Sequence, residues 1–155
     1  MTEKLYLKYG FQPETVTVIG EFTICWNQFE LQYCETFAKP QKILNLDFSQ
    51  LADSLSPLVT TFKSELLLWF KLVNVAVDDD GVKRVMFSIN NDGKQYRDGI
   101  VKYLSSDSTD INLCLLCIER IRNNLLHGLK DVYRLDEQAA LLQSAVNILA
   151  KIIMV

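Results

Sequence analysis

Apolar side chains recur every three or four residues over much of the chain, the spacing of a helix that buries one face. The first such stretch runs from Pro13 to Ala38, and Pro40 is expected to end it. A second runs from Ser49 to Leu72, and Pro57 either bends that helix or divides it in two. The helical stripe that the first stretch is expected to bury contains Val16, Ile19, Phe22, Trp26, Phe29, Tyr33 and Phe37.

The spacing changes between Val73 and Ile89. Apolar residues alternate as far as Val77, the four residues from Asp78 to Gly81 are typical of a turn, and the residues after them favour β-structure. This segment therefore predicts a small β-hairpin. Helical spacing returns in a short segment from Gln95 to Leu104.

Two further helices complete the chain. One is capped by Ser108 or Asp110 and ends at His127, just before Gly128. The last begins at about Leu135, and its apolar face contains Leu141, Leu142, Ala145, Ile148, Leu149 and Ile152. We predict a mainly all-α fold, a single domain over residues 1–155 that forms a bundle of four to five helices with a small β-hairpin insertion.

Composition and charge exclude several classes of protein. Of 155 residues, 49% are apolar and 23% charged, which is enough for an ordinary core and excludes a disordered chain. The net charge of −3 means that any nucleic-acid contact depends on a local patch. The N-terminus lacks a signal-peptide pattern, and the longest apolar run, Leu113 to Ile118, is too short for a membrane helix. We expect a soluble, cytoplasmic protein without membrane contact.

The four cysteines are expected to be reduced thiols in the core, because all lie in apolar, helix-patterned stretches. Cys114 and Cys117 have CxxC spacing, but the chain has one histidine and no second CxxC, which favours core packing over a zinc site. The acidic residues from Asp78 to Gly81 lack the alternating ligands and closing glutamate of a calcium loop. The sequence therefore predicts no metal and no cofactor.

The stretch from Ile111 to Lys130 carries the candidate chemistry. One stripe of this predicted helix is apolar and faces the core: Ile111, Leu115, Ile118, Ile121 and Leu125. The opposite side is apolar in its first half and polar in its second half, where it carries Arg120, Asn123, Asn124 and His127. A helix that is apolar on two sides is enclosed by its own fold or by another subunit. We therefore expect the polar residues at the end of a buried or interfacial surface.

His127 is the only histidine of the chain. A histidine in the last turn of a helix can simply act as a favourable partial cation at the C-terminus. Here two arginines and two asparagines precede it within seven residues, placing positive charge and amide groups beside a side chain that titrates near neutral pH. Such a group can transfer protons at a phosphodiester while its developing charge is stabilised.

Residues Arg122 to Gly128, RNNLLHG, resemble the signature of the HEPN superfamily, the higher eukaryote and prokaryote nucleotide-binding domains. That signature is an arginine, usually followed by a polar residue, and then a histidine after four to six intervening residues. The resemblance extends to the aromatic-rich first helix around Trp26 and to the apolar last helix. It implies a HEPN-like bundle and a metal-independent endoribonuclease that acts as a homodimer, often as a toxin or phage-defence effector.

The resemblance also implies roles for individual residues. Arg122 and His127 would be catalytic, and Asn123 or Asn124 would orient the imidazole or the phosphate. In RNA cleavage the 2′-hydroxyl attacks its own phosphate and leaves a 2′,3′-cyclic phosphate, which needs both a base and an acid. A two-fold dimer would supply both by bringing two copies of His127 to one groove.

Helix geometry leaves open whether Arg120 or Arg122 is the catalytic arginine. On an ideal helix Arg122 lies about 140° from His127, whereas Arg120 lies within about 20° of it. Either the helix is distorted near its end, or Arg122 acts across a dimer, or Arg120 is the catalytic arginine; Arg122 is our prediction.

Family toxins paired with a nucleotidyltransferase antitoxin commonly carry a tyrosine two residues after the histidine, and the antitoxin modifies that tyrosine. This chain has Leu129 at that position, which argues against neutralisation by such a modification.

Basic residues on either side of the motif are candidate RNA contacts or else ordinary solvated surface residues: Lys94, Arg97, Lys102, Lys130 and Arg134. Two other functions remain open beside the ribonuclease. One is a catalytically silent HEPN-like domain that binds a nucleotide, RNA or a protein partner, such as an antitoxin. The other is a structural helical subunit whose histidine caps its helix.

Overall fold

The computed structural model describes residues 12–35, 37–87, 93–127 and 135–155. These residues are mainly helical and contain no β-strand, so the all-α prediction is confirmed. The α-helices are α1 Pro13–Phe29, α2 Pro40–Leu44, α3 Ala52–Leu72, α4 Asp79–Met86, α5 Lys94–Leu104, α6 Ile111–His127 and α7 Ala139–Ile153. A π-helical turn, Glu30–Cys34, follows α1, and the 3₁₀ turns Ser49–Leu51 and Asp136–Gln138 precede α3 and α7.

The first helix is shorter than its pattern predicted. After the π-helical turn, Glu35 adopts a φ of 64° and turns the chain off the helix axis. Phe37 consequently leaves the buried face and is 72% exposed, although Phe22 and Phe29 are buried as predicted. Pro40 begins α2 instead of only ending the first helix, because the fixed φ of proline suits a first helical turn.

Pro57 does not divide the second predicted helix. It lies within α3, which continues without a break from Ala52 to Leu72. At the sixth position of the helix, Pro57 has no backbone N–H to donate to the carbonyl of Asp53, and the helix continues beyond it.

The predicted β-hairpin is wrong over the residues that the structure describes in that segment, which end at Phe87. Residues 79–86 form α4, and Asp78 Oδ1 accepts a 2.7 Å hydrogen bond from the Gly81 backbone nitrogen as an N-cap. The aspartates that suggested a turn therefore begin a helix, where negative charge is favourable. Val82 and Met86, four residues apart, are buried on one face.

Helices α1 and α7 lie side by side and run in the same direction. At one end, Asp136 accepts hydrogen bonds from the Gln12 backbone nitrogen and the Thr15 hydroxyl. At the other end, the Tyr33 hydroxyl donates to the carbonyl of Ile152 at 3.0 Å. Helix α3 also packs on α7, whose predicted apolar face is buried throughout. None of the helices described is both long and apolar enough to cross a membrane.

Helix α6 is enclosed by the fold itself, since α2, α3, α4 and α5 all pack against it. Residues 114–121 are buried on every side of the helix, which confirms the enclosure predicted from its two apolar sides. Asp110 is its N-cap, accepting from the backbone nitrogen of Leu113 at 2.9 Å. The helix extends to His127 as predicted, whereas Gly128 lies outside the described residues.

Two polar side chains, the half-buried Asn112 and the buried Lys63, fix the elements around the start of α6. Asn112 donates to the carbonyls of Ile43 and Leu46 at 2.8 and 2.7 Å and holds the end of α2. The Lys63 ammonium, on α3, donates to the carbonyl of Tyr103 at 2.8 Å and to carbonyls in the loop that follows α5. These contacts join the start of α6, and the loop before it, to α2 and α3.

Candidate active site

The end of α6, from Glu119 to His127, carries the predicted site residues together with one that the sequence analysis missed. Glu119 and Arg120 are buried, with 4% and 8% of their surface exposed. Arg122, Asn123 and Asn124 are half-buried. The polar cluster therefore lies at the edge of the core, as expected, and not on a freely solvated face.

Arg120 is held by its neighbour. Its Nε donates to Glu119 Oε2 at 2.6 Å and its Nη2 donates to Glu119 Oε1 at 2.7 Å, a two-pronged ion pair. The ring of Phe87 covers the guanidinium, 5.0 Å from the ring centroid. The charge of Arg120 is thus compensated, and its Nε and Nη2 donors are engaged by Glu119.

The same carboxylate connects Arg120 to the motif residues. Glu119 Oε1 also accepts from Asn123 Nδ2 at 2.8 Å, one helical turn further on. Asn123 Oδ1 in turn accepts from Arg122 Nη1 at 3.1 Å. These four side chains form one continuous network, which we call the Glu119 network.

Arg122 differs from Arg120 in its surroundings. It is half-buried, and its hydrogen bond goes to a neutral amide. Of the ion pairs found within the described ranges, none includes Arg122. Since Glu119 compensates one of the two arginines, the network carries one net positive charge, and Arg122 supplies it.

Asn124 has a different partner from Asn123. Its Nδ2 donates to the carbonyl of Val85, near the end of α4, at 2.6 Å. The amide nitrogen is therefore engaged by backbone and joins α6 to α4.

His127 is the last residue of α6, but its side chain lies outside the described residues. The same holds for Leu129, Lys130 and Arg134, so their predicted roles remain predictions. The backbone bears on one of the alternatives, because it remains α-helical as far as His127. Around the axis of a regular helix, positions 122 and 127 lie about 140° apart.

The basic residues of α5 fall into two groups. Lys94 and Lys102 are exposed, as expected of surface residues. Arg97 is neither a solvated residue nor an unengaged phosphate ligand, because it is buried and its Nε lies 3.0 Å from Asp79 Oδ1. That hydrogen bond lowers the pKa of Asp79 and joins α5 to the start of α4.

Cys114 and Cys117 pack in the core beneath this surface and are completely buried. Burial raises the pKa of Cys114 to about 12 and that of Cys117 well above its ordinary value, so both remain neutral thiols. Within the described ranges, no three His, Cys, Asp or Glu side chains are grouped as a metal site would require.

Glu119 is the site residue that sequence reasoning missed. Its spacing of four residues from Asn123 is a helical neighbour relationship that the sequence does display. Its position directly before Arg120 concealed the ion pair, because consecutive residues on a helix point about 100° apart and are not ordinarily expected to meet.

Comparison of the chain with models of protein families, with curated proteins and with solved structures finds no match.

Proposed function

We propose that this chain is a metal-independent endoribonuclease of HEPN type that cleaves RNA in a composite site between two copies of the chain. Arg122 and His127 are its catalytic residues, and Lys130 and Arg134 contact the RNA. The motif from Arg122 to Gly128 supports this proposal, and so does the all-α fold in which it ends an enclosed helix. A toxin or defence role fits such an activity.

The observation that carries the proposal is the difference between the two arginines. Arg120 is buried and bound to Glu119 through two hydrogen bonds, so its charge is already compensated by a carboxylate within the protein. Arg122 is half-buried and is bound to a neutral amide, so its charge is available to an anion. This is the arginine to which the family signature assigns the catalytic role.

The regular helix supports a site shared between subunits. Because the α6 backbone is α-helical through His127, positions 122 and 127 lie about 140° apart around the helix axis, which favours a site to which two copies of the chain contribute. A two-fold axis beside the end of α6 brings Arg122 of one copy toward His127 of the other. The arrangement also supplies two imidazoles, one for each proton transfer.

The chemistry then follows from the groups in the groove. One imidazole accepts the proton of the ribose 2′-hydroxyl, whose oxygen attacks the adjacent phosphorus. The second imidazole protonates the departing 5′-oxygen, leaving a 2′,3′-cyclic phosphate and a 5′-hydroxyl. Arg122 stabilises the negative charge that develops on the phosphorane oxygens. DNA is not a substrate because it lacks the attacking hydroxyl.

The test is RNA cleavage by the purified full chain in EDTA. Wild type is compared with His127→Ala and Arg122→Ala, and Lys151→Ala, which removes an exposed cation near the end of α7, serves as the control for loss of a cation. We expect cleavage by the wild type and the control, 2′,3′-cyclic phosphate ends, and loss of at least about a hundredfold in rate for the two site variants. An oligonucleotide of the same sequence with 2′-deoxyribose throughout should remain intact.

Two results would overturn the proposal. Cleavage that survives in His127→Ala would remove His127 from the mechanism. Absence of cleavage of every RNA tested, by a folded protein, would favour the silent binding domain. Light scattering measures the dimer, and growth arrest on expression that His127→Ala relieves would support the toxin role.

A further inference from the structure

Glu119 lies at the centre of the polar network but is not placed to touch a substrate. Only 4% of its surface is exposed, and both its oxygens accept hydrogen bonds from within the protein. We infer that Glu119 is a positioning residue, which orients the guanidinium of Arg122 through the side-chain amide of Asn123. This inference rests on the proposed function, because it assigns Arg122 a task at the scissile phosphate.

The first step concerns the direction of an amide. An ionised carboxylate is only an acceptor of hydrogen bonds, whereas an asparagine amide has a donor end and an acceptor end. Asn123 must therefore turn its nitrogen toward Glu119, at 2.8 Å. Its oxygen then points away from Glu119, where it accepts the hydrogen bond from Arg122 at 3.1 Å. A hydrogen-bond donor at position 119 would reverse the amide and present its nitrogen to the guanidinium.

The second step concerns the rigidity of the carboxylate. The two parallel bonds from Arg120 fix both oxygens of Glu119, so the carboxylate cannot rotate away from Asn123. The ring of Phe87 also lies over the Arg120 guanidinium, 5.0 Å from the ring centroid. Arg120 thus serves the site from within the fold, although its charge is not available to RNA.

The third step concerns the conformational entropy of the Arg122 side chain. An arginine side chain has many rotamers, and holding it against a fixed acceptor reduces the entropy lost when it meets the transition state. Loss of the network leaves Arg122 present but free to rotate. We expect the kcat for RNA cleavage to fall by roughly tenfold to a hundredfold, with a much smaller change in KM, because Arg122 acts on charge that develops during the reaction.

The experiment removes the carboxylate without leaving a buried charge. In the double variant Glu119→Leu/Arg120→Met an apolar pair of similar volume replaces the ion pair, a change that buried ion pairs commonly tolerate. The kcat and KM of this variant are measured with and without Arg122→Ala, and likewise with and without Asn123→Ala. The control is Asn112→Ala, which deletes an amide from the opposite end of α6. Thermal unfolding verifies that each variant is folded.

A residue that acts through Arg122 has a distinctive signature. The double variant should lower kcat, and adding Arg122→Ala or Asn123→Ala should then cost much less than the same change costs in the wild type. A merely structural role would make the effects multiply. The Asn112→Ala control should keep the wild-type kcat.

Failure of this inference is separable from failure of the proposed function. If the wild type cleaves RNA and the folded double variant keeps the wild-type kcat, or if the effects multiply, the positioning role of Glu119 is overturned while the ribonuclease assignment stands. If the wild type cleaves no RNA, both are overturned.

Discussion

The guanidinium of Arg120 and the carboxylate of Glu119 form two parallel hydrogen bonds, at 2.6 and 2.7 Å, although the two residues are consecutive in the chain. Both side chains are buried, so each charge depends on the other for compensation. Arg122, two residues further on, is half-buried and bound to a neutral amide. The two arginines should therefore differ in what they contribute to the protein.

Substitution of these two arginines should lower the stability of the protein by different amounts. Arg120→Ala leaves the Glu119 carboxylate buried without its partner, and we expect it to lower the free energy of unfolding by about 3–5 kcal/mol. Arg122→Ala removes one hydrogen bond at a half-exposed position, and we expect a loss of about 1 kcal/mol or less. Urea denaturation at pH 7 measures both values. Equal losses for the two variants would contradict our conclusion that Arg120, and not Arg122, is the partner of a buried carboxylate.

The two asparagines of the motif should also differ, one contributing to stability and the other to RNA cleavage. Asn124→Ala breaks the bond to the Val85 carbonyl and should cost about 1–2 kcal/mol of stability while RNA cleavage remains close to wild type. Asn123→Ala should have the opposite result, with a lower kcat for cleavage, because Asn123 contacts Arg122. Denaturation and cleavage assays on the pair provide the comparison. A large loss of kcat in Asn124→Ala at full stability would place that residue in the site instead.

Helix α6 could be predicted from the sequence because its signals agree. Its apolar stripe, the Asp110 cap and its end at His127 all indicate one helix, and its two apolar sides indicate that it is enclosed. The segment after α3 could not be predicted, because Val82 and Val85 suit a strand by residue type and a helix by spacing. Tertiary packing against α5 and α6 decided the outcome there.

The site was predictable to a smaller extent than the helix that carries it. The residues on the polar side of α6 were found, but not the partners that distinguish them. The partner of Asn124 is a backbone carbonyl 39 residues away, and no local pattern indicates it. The π-helical turn Glu30–Cys34, after which Phe37 is exposed, could not be predicted either. The apolar spacing continues past it as if the helix were unbroken.

Gly81 should be required by a close backbone approach. A Cβ at this position would lie 1.7 Å from the Ala76 carbonyl oxygen, which only a shift of backbone could relieve. We expect Gly81→Ala to lower the free energy of unfolding by about 3 kcal/mol or more, even though alanine favours helices. Gly20→Ala is the matched control, because α1 has open space at that position. The control should stabilise the protein by about 0.5–1 kcal/mol, and equal effects of the two changes in urea denaturation would contradict the packing of α4.

Cys114 should make the protein less stable at alkaline pH. Burial raises the pKa of its thiol from 9.0 to about 12, so between these pH values the unfolded chain has lost a proton that the native protein retains. Stability from this group is therefore fully present below pH 9 and is lost as the pH rises toward 12, by about 1.4 kcal/mol per pH unit. Cys117 and Tyr103 also have raised pKa values, and the largest cause of both, burial, is present in the wild type and in Cys114→Ala alike. In urea denaturation under reducing conditions, the wild type's advantage over Cys114→Ala at pH 7 should therefore shrink by about 1.4 kcal/mol at pH 10. A constant difference between the two proteins from pH 7 to pH 10 would show that the thiol titrates equally in both states and is not buried as described.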